Sequence, residues 1–476
     1  MFVVHISAEC YPAAKVGGLA DVVGSLPSYQ QGLGMESIVL IPKYGMPWIK
    51  EQKWKTVFEA EISENGHWKK FTIDQLEGDA LDYPLLTVNI PDYFDRPGVY
   101  AHPPGHYFGD ETARYFAFQQ AAIIWMSSMD PLPDLVHCHD HHTGLIPFFM
   151  KYGVDFTNLF SIPSVYTIHN GNYQGMHSWK NAVLLPRFHQ NDAGFLEWSD
   201  CINSMASAIR CAWAVTTVSP SYMNELKELP NLGDLIRSED SKTRGILNGI
   251  DYDTWNPKKD PLVKHKLKKS LKTFKKKNKA ELTSGFNLEP EAPLFVFIGR
   301  FAREKGAFIL PDVIGSFLSA NNPASFIILG SGDEKLSGRF HHLSRYFPDR
   351  VQYRQGYDEP LAHMLYAGAD FLIMPSLVEP CGLNQMYSMH YGTIPIVRAV
   401  GGLNDTVTDV AQGGGGLRFG NLEINEITAT LYRAMKLYGE EEQFEQVRAE
   451  IIKYDFSWEN SAKQYEQLYN DLININ

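Results

Sequence analysis

The chain has 476 residues, and its 43 Lys+Arg against 55 Asp+Glu give a net charge of −12. With 44% hydrophobic and 21% charged residues, the composition is that of a globular protein and excludes a disordered one, while the acidity argues against a protein that coats nucleic acid. The length predicts about two or three domains, and no run reaches the roughly 18 apolar residues that a membrane span requires.

Short β-branched runs alternate with helical stretches, a pattern typical of βαβ units and parallel sheets. The first series of predicted strands is Phe2–Ala8, Ser37–Ile41, Asp134–Cys138, Pro163–Ile168, Ala214–Val218 and Thr243–Leu247. The second series is Leu294–Gly299, Ser325–Leu329, Val351–Arg354, Asp370–Met374 and Thr393–Arg398. Since several runs are apolar throughout, both faces of each sheet are expected to be covered. Two consecutive doubly wound α/β domains are therefore predicted, with a boundary near residue 247.

The segment after the first predicted strand contains Lys15, Gly17 and Gly18 ahead of a helical pattern. Two glycines let the backbone approach a ligand closely, and a helix start offers free N–H groups and a positive dipole. With the cation of Lys15 beside them, the segment suits a phosphate or diphosphate. Paired glycines before a helix are equally typical of a tight turn, so both interpretations stay open. Pro27 is expected to bend or end the helix.

Four histidines surround Asp140 at the end of the third predicted strand. Strand alternation puts His137 and His139 on one face, whereas His141 and His142 lie beyond the strand. A metal site is the alternative interpretation, but no second cluster with recognisable zinc spacing occurs in the sequence. We therefore predict no metal, and we expect Asp140 to hydrogen-bond a sugar hydroxyl.

His169 ends the next predicted strand, just before the segment Asn170–Gly175 with its two glycines. Such a histidine is either packed in the core or placed at a ligand site. Parallel α/β sheets collect ligands beyond the carboxyl ends of their strands, which favours the ligand site.

Arg300 and Lys305 follow the first strand of the second series, in a segment that is expected to open a helix. Two cations at a helix N-terminus could grip a diphosphate from two directions; an ordinary surface pair is the alternative. The sequence contains no GxxxxGK[ST] phosphate-binding loop, which disfavours ATP hydrolysis, and no GxGxxG follows the first strand, which weakens a nicotinamide-dinucleotide hypothesis.

Glu379 lies beyond the strand predicted at Asp370–Met374. Because proline suits the first turn of a helix, Pro380 predicts a helix there and would place the Glu379 carboxylate at its N-terminus. A carboxylate so placed can bind sugar hydroxyls or oppose developing positive charge; a simple helix cap is the alternative. Gly401 and Gly402 are expected to supply backbone donors at a further helix start.

The segment Lys258–Lys279 contains eleven lysines against one acid, Asp260. A polyanion-binding arm is one interpretation. A solvated amphipathic helix is favoured, because apolar residues recur at helical spacing through this region.

Five cysteines form no CxxC pair, and their odd number favours a reducing compartment over a disulfide framework. The N-terminus has neither the basic start nor the small-residue cleavage site of a signal peptide. We predict a cytoplasmic protein with no membrane or nucleic-acid partner.

These segments resemble, in order and over essentially the whole chain, the motifs of bacterial glycogen synthases and plant starch synthases. The matching segments are Lys15–Pro27, His137–Gly144, Tyr166–Asn170, Thr217–Tyr222, Ile246–Asp251, Arg300–Gly306, Glu379–Gln385, Tyr391–Arg398, Gly401–Leu403 and Phe456–Ala462. The most specific motifs are Lys-x-Gly-Gly-Leu, beginning at Lys15, and Glu-Pro-Cys-Gly-Leu, beginning at Glu379.

The resemblance implies an α/β protein with the GT-B fold, in which two Rossmann-like doubly wound domains face a deep interdomain cleft. It implies an acceptor-side domain over residues 1–246, a nucleotide-sugar domain over 247–457 and a C-terminal helix, 458–476, that returns to the first domain. The implied reaction is transfer of glucose from ADP-glucose to the non-reducing end of an α-1,4-glucan such as glycogen, with retention of configuration and release of ADP. No cofactor and no metal are implied.

The resemblance also assigns roles to residues at matching positions. The implied catalytic residues are Glu379, Arg300, Lys305, His169 and Asp140. The implied substrate-binding residues are Lys15, Gly17, Gly18, Asn248, Cys381, Gly382 and Leu383. In this assignment Arg300 and Lys305 neutralise the departing ADP, while Asp140, His169 and Asn248 surround the glucose.

Two alternatives to this function stay open: the same transfer from UDP-glucose, and a catalytically inactive glucan-binding scaffold. The presence of Lys15, Arg300, Lys305 and Glu379 argues against the scaffold. The chain departs from the common family pattern at several positions, among them His141, where Trp is usual.

Overall fold

The computed structural model describes residues 1–64, 66–102 and 106–474. The chain divides into two compact units. Unit 1 is Met1–Asn248 with Trp458–Asn476, and unit 2 is Gly249–Ser457. Among the described residues, no helix is long and apolar enough to cross a membrane.

The strands are numbered here in chain order through the described residues. They are β1 (Phe2–Ile6), β2 (Glu36–Pro42), β3 (Trp54–Glu64), β4 (His67–Leu76), β5 (Leu85–Asn89), β6 (Leu135–His139), β7 (Ser164–Ile168), β8 (Met176–Ser178), β9 (Glu197–Trp198), β10 (Cys201–Asn203), β11 (Ala214–Thr217), β12 (Thr243–Gly245), β13 (Leu294–Ile298), β14 (Ser325–Gly330), β15 (Val351–Gln355), β16 (Phe371–Met374), β17 (Ile394–Arg398) and β18 (Leu417–Phe419).

The α-helices are numbered in the same way. They are α1 (Gly18–Gly32), α2 (Pro47–Glu51), α3 (Glu111–Ser127), α4 (Ile146–Tyr152), α5 (Ser204–Cys211), α6 (Pro220–Lys227), α7 (Leu232–Ser238), α8 (Leu271–Phe286), α9 (Leu310–Ser319), α10 (Glu334–Tyr346), α11 (Glu359–Gly368), α12 (Asn384–His390), α13 (Gly401–Thr406), α14 (Ile424–Gly439), α15 (Glu441–Ile451) and α16 (Trp458–Ile473).

The main sheet of unit 1 has the order β12-β11-β7-β6-β1-β2-β5-β4-β3. Its pairs are parallel from β12 to β5, whereas β4 pairs antiparallel with both β5 and β3. The sheet of unit 2 has the order β15-β14-β13-β16-β17-β18 and is parallel throughout. A small antiparallel sheet, β8-β10-β9, belongs to unit 1.

Helix α16 completes unit 1, although it follows the whole of unit 2 in the sequence. Its buried side chains recur at helical spacing, which gives the helix one continuous apolar face. This face packs into a core cluster that includes Val3 of β1 and Val22 and Leu26 of α1. Burial of a large apolar side chain on this face, such as Leu468 or Leu472, contributes about 1.5–3 kcal/mol, so α16 is an integral part of the unit.

The predicted α/β class and the strands of both predicted series are confirmed, with ends that differ by one or two residues. The sequence prediction missed β3, β4, β5, β8, β9, β10 and β18. Of the two outcomes expected for Pro27, a bend or an end of the first helix, the end is excluded because α1 continues to Gly32. Pro27 is buried within that helix.

The basic segment Lys258–Lys279 forms a helix only from Leu271 onward, in α8. The apolar side of α8 packs in the core through Phe274 and Leu282, which supports the amphipathic-helix interpretation. Not all of its lysines are solvated, however. Lys275 and Lys279 are buried; Lys275 donates to the carbonyl of Tyr366 at 2.9 Å, and Lys279 lies 2.6 Å from a carboxylate oxygen of Asp370.

Candidate active site

Three neighbouring strands of unit 1 bring the sequence-predicted residues of that unit to one sheet edge. The strands β7, β6 and β1 are adjacent and parallel, so the segments after their carboxyl ends lie side by side. These segments carry His169 after β7, Asp140 after β6 and the stretch from Ser7 to Gly18 after β1.

The carboxylate of Glu9 holds the loop that precedes α1. It accepts hydrogen bonds from the backbone N–H of Val16 at 2.6 Å and of Gly17 at 3.0 Å, and from the hydroxyl of Tyr100 at 2.8 Å. Glu9 is 4% exposed, and burial raises its pKa above the ordinary value. Glu9 has no motif of its own in the sequence, and only its place three residues after β1 could have indicated it.

The two glycines of this loop are not required by packing. A Cβ atom built on Gly17 or Gly18 meets no heavy atom within 4 Å, and neither residue has a positive φ. Helix α1 begins at Gly18, which confirms the predicted helix start. The ammonium of Lys15 pairs with Asp21 at 2.6 Å and is 38% exposed. The loop therefore offers open space beside backbone donors and a cation.

Asp140 occupies an unusual backbone position at the end of β6. Its φ is +57°, a conformation that non-glycine residues adopt rarely and that recurs at active sites. One carboxylate oxygen accepts from the backbone N–H of His169 at 2.8 Å and from that of Asn170 at 3.4 Å. Burial raises the pKa of Asp140 to about 7. The carboxyl group thus connects the ends of β6 and β7.

His169 is 8% exposed, and burial lowers its pKa to about 3, so its imidazole is neutral near pH 7. Its Nε2 lies 3.0 Å from Nδ1 of His139. Asn248 is also buried, and its side-chain oxygen has no hydrogen-bond partner among the described residues. An unpartnered buried acceptor is costly unless a ligand or water satisfies it.

Unit 2 gathers its predicted residues at the corresponding edge of its own sheet. The strands β13, β16 and β17 are neighbours, and their carboxyl ends lead to Arg300, to Glu379 and to Gly401. The segments after β13 and β16 are joined directly, because the backbone N–H groups of Leu377 and Val378 donate to the carbonyl of Glu304 at 2.7 and 3.2 Å.

Lys305 and Glu379 form a two-point ion pair. The ammonium lies 2.7 Å from Oε1 and 2.9 Å from Oε2 of the carboxylate, and the hydroxyl of Ser376 donates to Oε2 at 2.8 Å. The Glu379 side chain is 5% exposed and that of Lys305 27% exposed. A lysine ammonium has three donors, so one N–H remains for a ligand.

The expectation that Glu379 sits at a helix N-terminus is wrong. Helix α12 begins at Asn384, and residues 375–383 form an irregular segment. The expectation that Arg300 and Lys305 lie where their segment opens a helix is wrong as well, since Arg303–Lys305 is a single 3-10 turn and α9 begins only at Leu310. Glu379 is therefore oriented by the ammonium of Lys305 and the hydroxyl of Ser376, rather than by a helix dipole.

Arg300 lies in a more open environment than Lys305. Its side chain is 59% exposed, and its guanidinium contacts Glu304 at 3.2 Å. The two cations therefore have different carboxylate partners. An exposed guanidinium with a weak partner can reorient toward a phosphate group.

Gly401 and Gly402, at the start of α13, pack directly on the Glu379 segment. A Cβ on Gly401, whose φ is +44°, would lie 2.1 Å from the carbonyl oxygen of Glu379. A Cβ on Gly402 would lie 2.1 Å from that of Cys381. The N–H of Gly402 donates to the carbonyl of Glu379 at 3.0 Å. This donor therefore positions the chain segment, in contrast to the prediction that it is available to a ligand.

Cys381, Gly382 and Leu383 complete this segment. Cys381 is buried. Gly382 has a φ of +73°, which favours glycine at that position. The side-chain amide of Gln385 donates to the carbonyls of Cys381 at 3.1 Å and of Gly382 at 2.9 Å. These contacts fix the backbone between Glu379 and α12.

Two clusters within the described residues have ligand atoms close enough to hold a metal ion. They are His5, His137 and His139, and Glu111, His141 and His142. In the first cluster, hydrogen bonds to neighbouring side chains already engage both ring nitrogens of each histidine. The absence of a metal remains a prediction.

Comparison with protein families gives two matches along the chain. The family described as starch synthase catalytic domain matches residues 2–238, and the family described as glycosyl transferases group 1 matches residues 278–448. A glycogen synthase from Flavobacterium johnsoniae is 42% identical over 478 residues, covering 99% of both chains. One from Anoxybacillus flavithermus is 35% identical and covers 99% of this chain and 98% of its own.

Comparison with solved structures gives a similar result. The catalytic domain of starch synthase IV from Arabidopsis thaliana, solved bound to ADP and acarbose, matches with a TM-score of 0.86 at 31% identity over 99% of each chain. Sucrose-phosphate synthase from Thermosynechococcus elongatus matches with a TM-score of 0.61 at 18% identity over the full length of both. The second likeness concerns the fold alone.

Proposed function

The chain belongs to the glycogen and starch synthase family of GT-B glycosyltransferases, and on that premise we propose that it transfers glucose from ADP-glucose to the non-reducing end of an α-1,4-glucan, with retention of configuration and release of ADP. The observation that carries the proposal of ADP as the leaving group is the full-length likeness to a starch synthase solved with ADP. The Lys305–Glu379 pair supplies the matching chemistry in unit 2.

In unit 2, Lys305 stabilises the diphosphate as it departs. The leaving group gains negative charge in the transition state, and a cation already oriented by Glu379 needs no reorganisation at that moment. The third N–H of Lys305 binds a phosphate oxygen, and the exposed guanidinium of Arg300 binds another. The Glu379 carboxylate stabilises the positive charge that develops on the sugar.

The segment from Glu379 to Leu383 lines the glucosyl and diphosphate pocket in this proposal. Its backbone is fixed on both sides by Gly402 and Gln385. A fixed backbone holds its polar groups at constant distances from the donor, which is the condition for selective stabilisation of the transition state.

In unit 1, the loop held by Glu9 brings Lys15, Gly17 and Gly18 to the donor. The open space at the glycines admits a phosphate or sugar oxygen to the backbone N–H groups at the start of α1. Asp140, His169 and Asn248 contact the glucosyl hydroxyls, and the unpartnered oxygen of Asn248 accepts from one of them.

The configuration at the anomeric carbon is retained because the glucan hydroxyl attacks this carbon from the same face from which the diphosphate departs. The bond between the anomeric carbon and the diphosphate oxygen breaks as the glucan hydroxyl oxygen bonds to the same carbon. The hydroxyl proton passes to the leaving phosphate oxygen, so charge and atoms balance without a carboxylate nucleophile.

The test measures ADP or UDP release with glycogen present, comparing ADP-glucose with UDP-glucose, each with and without EDTA. We expect turnover with ADP-glucose that EDTA does not change, and proton NMR of the product should show new α-1,4 linkages. Preference for UDP-glucose would change the donor but keep the transfer. No turnover with either donor would refute the transfer itself.

A further inference from the structure

A chain of buried hydrogen bonds leads from helix α1 to His169. Nε2 of His5 lies 2.8 Å from the side-chain oxygen of Gln30. Nδ1 of His5 lies 3.1 Å from Nε2 of His139, and Nδ1 of His139 lies 3.0 Å from Nε2 of His169. Gln30, His5 and His139 are all 0% exposed, so water does not interrupt the chain.

Each link of the chain admits one donor and one acceptor. A neutral imidazole has one N–H and one bare nitrogen. Burial lowers the pKa of His5 to about 4, that of His169 to about 3, and that of His139 well below its usual value. The three rings are therefore neutral near pH 7. Once one ring nitrogen at the start of the chain is known to be protonated, the state of every later nitrogen follows.

The side-chain amide of Gln30 determines which ring nitrogen of His5 is protonated, and therefore in which direction each later hydrogen bond is donated. Its oxygen faces His5 and also accepts from the hydroxyl of Ser37 at 2.8 Å, whereas its NH2 group donates to the hydroxyl of Tyr469 at 3.2 Å. An amide oxygen only accepts, so Nε2 of His5 is protonated and its Nδ1 is bare. His139 must then donate through Nε2, and His169 must donate through Nε2 in turn.

We propose that Gln30, acting through His5 and His139, fixes His169 in the tautomer that is protonated at Nε2 and leaves Nδ1 as a hydrogen-bond acceptor. Among the described residues, no hydrogen bond occupies Nδ1 of His169. A bare nitrogen at this position accepts from a ligand hydroxyl, whereas the opposite tautomer would present an N–H there. Gln30, His5 and His139 are positioning residues, and their effect on catalysis rests on the proposed function.

The same cluster contains a matched control in His137. Its ring is stacked on that of His139 with centroids 4.1 Å apart, and it is equally buried. Its nitrogens bond instead to Tyr469 and Thr167, both at 2.6 Å. His137 is therefore packed in the same cluster as His5 and His139 but is not part of the hydrogen-bond chain from Gln30 to His169, which it meets only through Tyr469.

Nitrogen NMR of the full chain labelled with 15N-histidine tests the tautomer directly, because protonated and bare ring nitrogens have well-separated shifts. The His169 signals are assigned by their loss in His169→Asn. In the wild type we expect a single tautomer, protonated at Nε2. Protonation at Nδ1 would overturn the proposal, and so would shifts at His5, His137 and His139 on adding Zn²⁺ to EDTA-treated protein, since that would make the cluster a metal site.

Three substitutions then distinguish the effect of the hydrogen-bond chain from the effect of packing in the histidine cluster. His5→Phe and Gln30→Met interrupt the chain and should give His169 as a mixture of both tautomers, while His137→Phe should leave it unchanged. Because only one tautomer is competent, kcat/KM for the sugar donor should fall by the same factor as the Nε2-protonated population. The proposal would be overturned if His5→Phe and Gln30→Met both left the His169 tautomer unchanged. It would also be overturned if His137→Phe lost as much of the Nε2-protonated tautomer as they do. The NMR result requires no turnover, so it stands apart from any failure of the proposed function.

Discussion

The ammonium of Lys305 lies within hydrogen-bonding distance of both carboxylate oxygens of Glu379, at 2.7 and 2.9 Å. The two residues come from segments 74 positions apart in the sequence, after neighbouring strands of one parallel sheet. The pair fixes the direction of both charges before any ligand arrives, which is the form of preorganisation that stabilises a charged leaving group.

Lys305→Gln should lower kcat/KM for ADP-glucose by about 10²–10³-fold, the usual cost of removing one preorganised donor at a developing anion. Steady-state ADP release with excess glycogen measures the effect. Lys453→Gln removes an exposed lysine from a surface ion pair with Glu450 and should leave the rate unchanged. A Lys305→Gln enzyme with the wild-type rate would contradict the assignment of Lys305 to the leaving group.

Glu9→Gln should raise the KM for the sugar donor, because an amide cannot accept from Val16, Gly17 and Tyr100 as the carboxylate does. Weakening these bonds costs about 1–3 kcal/mol, which corresponds to a roughly ten- to hundredfold loss of kcat/KM if the loop is displaced. Glu36→Gln, at an exposed position, is the control. If both variants bind the donor equally well, Glu9 does not position the loop.

Asp140→Asn should gain stability relative to the wild type as the pH rises. Burial raises the pKa of Asp140 from 3.8 to about 7, so the folded protein retains a proton that the unfolded chain loses across this range. The stability contributed by the group is complete below the unfolded pKa and is lost as the pH rises through the folded one. The relative gain of the variant is at most about 4 kcal/mol.

Melting temperatures of Asp140→Asn and the wild type, compared between about pH 4 and pH 8, give the measurement. Asp79→Asn, at an exposed position, corrects for a general effect of losing a carboxylate. A difference between Asp140→Asn and wild type that stays constant over this range would show that the carboxyl group is not perturbed by its burial.

Gly402→Ala should displace the Glu379 segment, because the added Cβ would lie 2.1 Å from the carbonyl oxygen of Cys381. We expect kcat/KM to fall by about tenfold or more, as small displacements of catalytic groups do, together with a lower melting temperature. Gly439→Ala, where a Cβ meets nothing within 4 Å, should change stability by no more than about 0.5 kcal/mol. Equal behaviour of the two variants would refute the close approach.

Asp370→Asn should destabilise unit 2 by about 3–5 kcal/mol, since it leaves the buried Lys279 without its anion and leaves Arg448 with its more distant partner Glu445, at 3.3 Å. Asp370 contacts Lys279 and Arg448, both at 2.6 Å, and all three side chains are less than a tenth exposed. Asp312→Asn breaks an exposed pair with Arg339 and should cost less than about 1 kcal/mol. Calorimetric unfolding compares them, and a similar shift in both would count against a buried network.

The strands that were predicted from the sequence all belong to the parallel parts of the two sheets, although the parallel strands β5 and β18 were missed. Strands β3 and β4 were missed because they form an antiparallel pair at the sheet edge, and one side of β3 is exposed and polar. Exposed positions with charged side chains weaken the apolar pattern from which strands are predicted.

The site could be predicted in its residue types and in its location at the strand ends, but not in its partners. Pro380 indicated a helix by a local rule, whereas the backbone there is held by the nearby Gln385 and by Gly402, which follows the next strand of the sheet. Lys279 belonged to a charge run that indicated solvent exposure, and its burial depends on Asp370, ninety-one positions away by sequence number. Long-range pairing of this kind leaves no trace in local composition.

The position of α16 has a consequence for synthesis on the ribosome. Its side chains fill the core of unit 1 beside Val22 and Leu26, yet every residue of unit 2 is translated before α16 emerges. Unit 1 begins first and is completed last, so its nascent form exposes the apolar face of α1 while unit 2 is being made. The side-chain NH2 of Gln30 donates a hydrogen bond to the hydroxyl of Tyr469 on α16. The orientation of the Gln30 amide is therefore fixed only after α16 has packed.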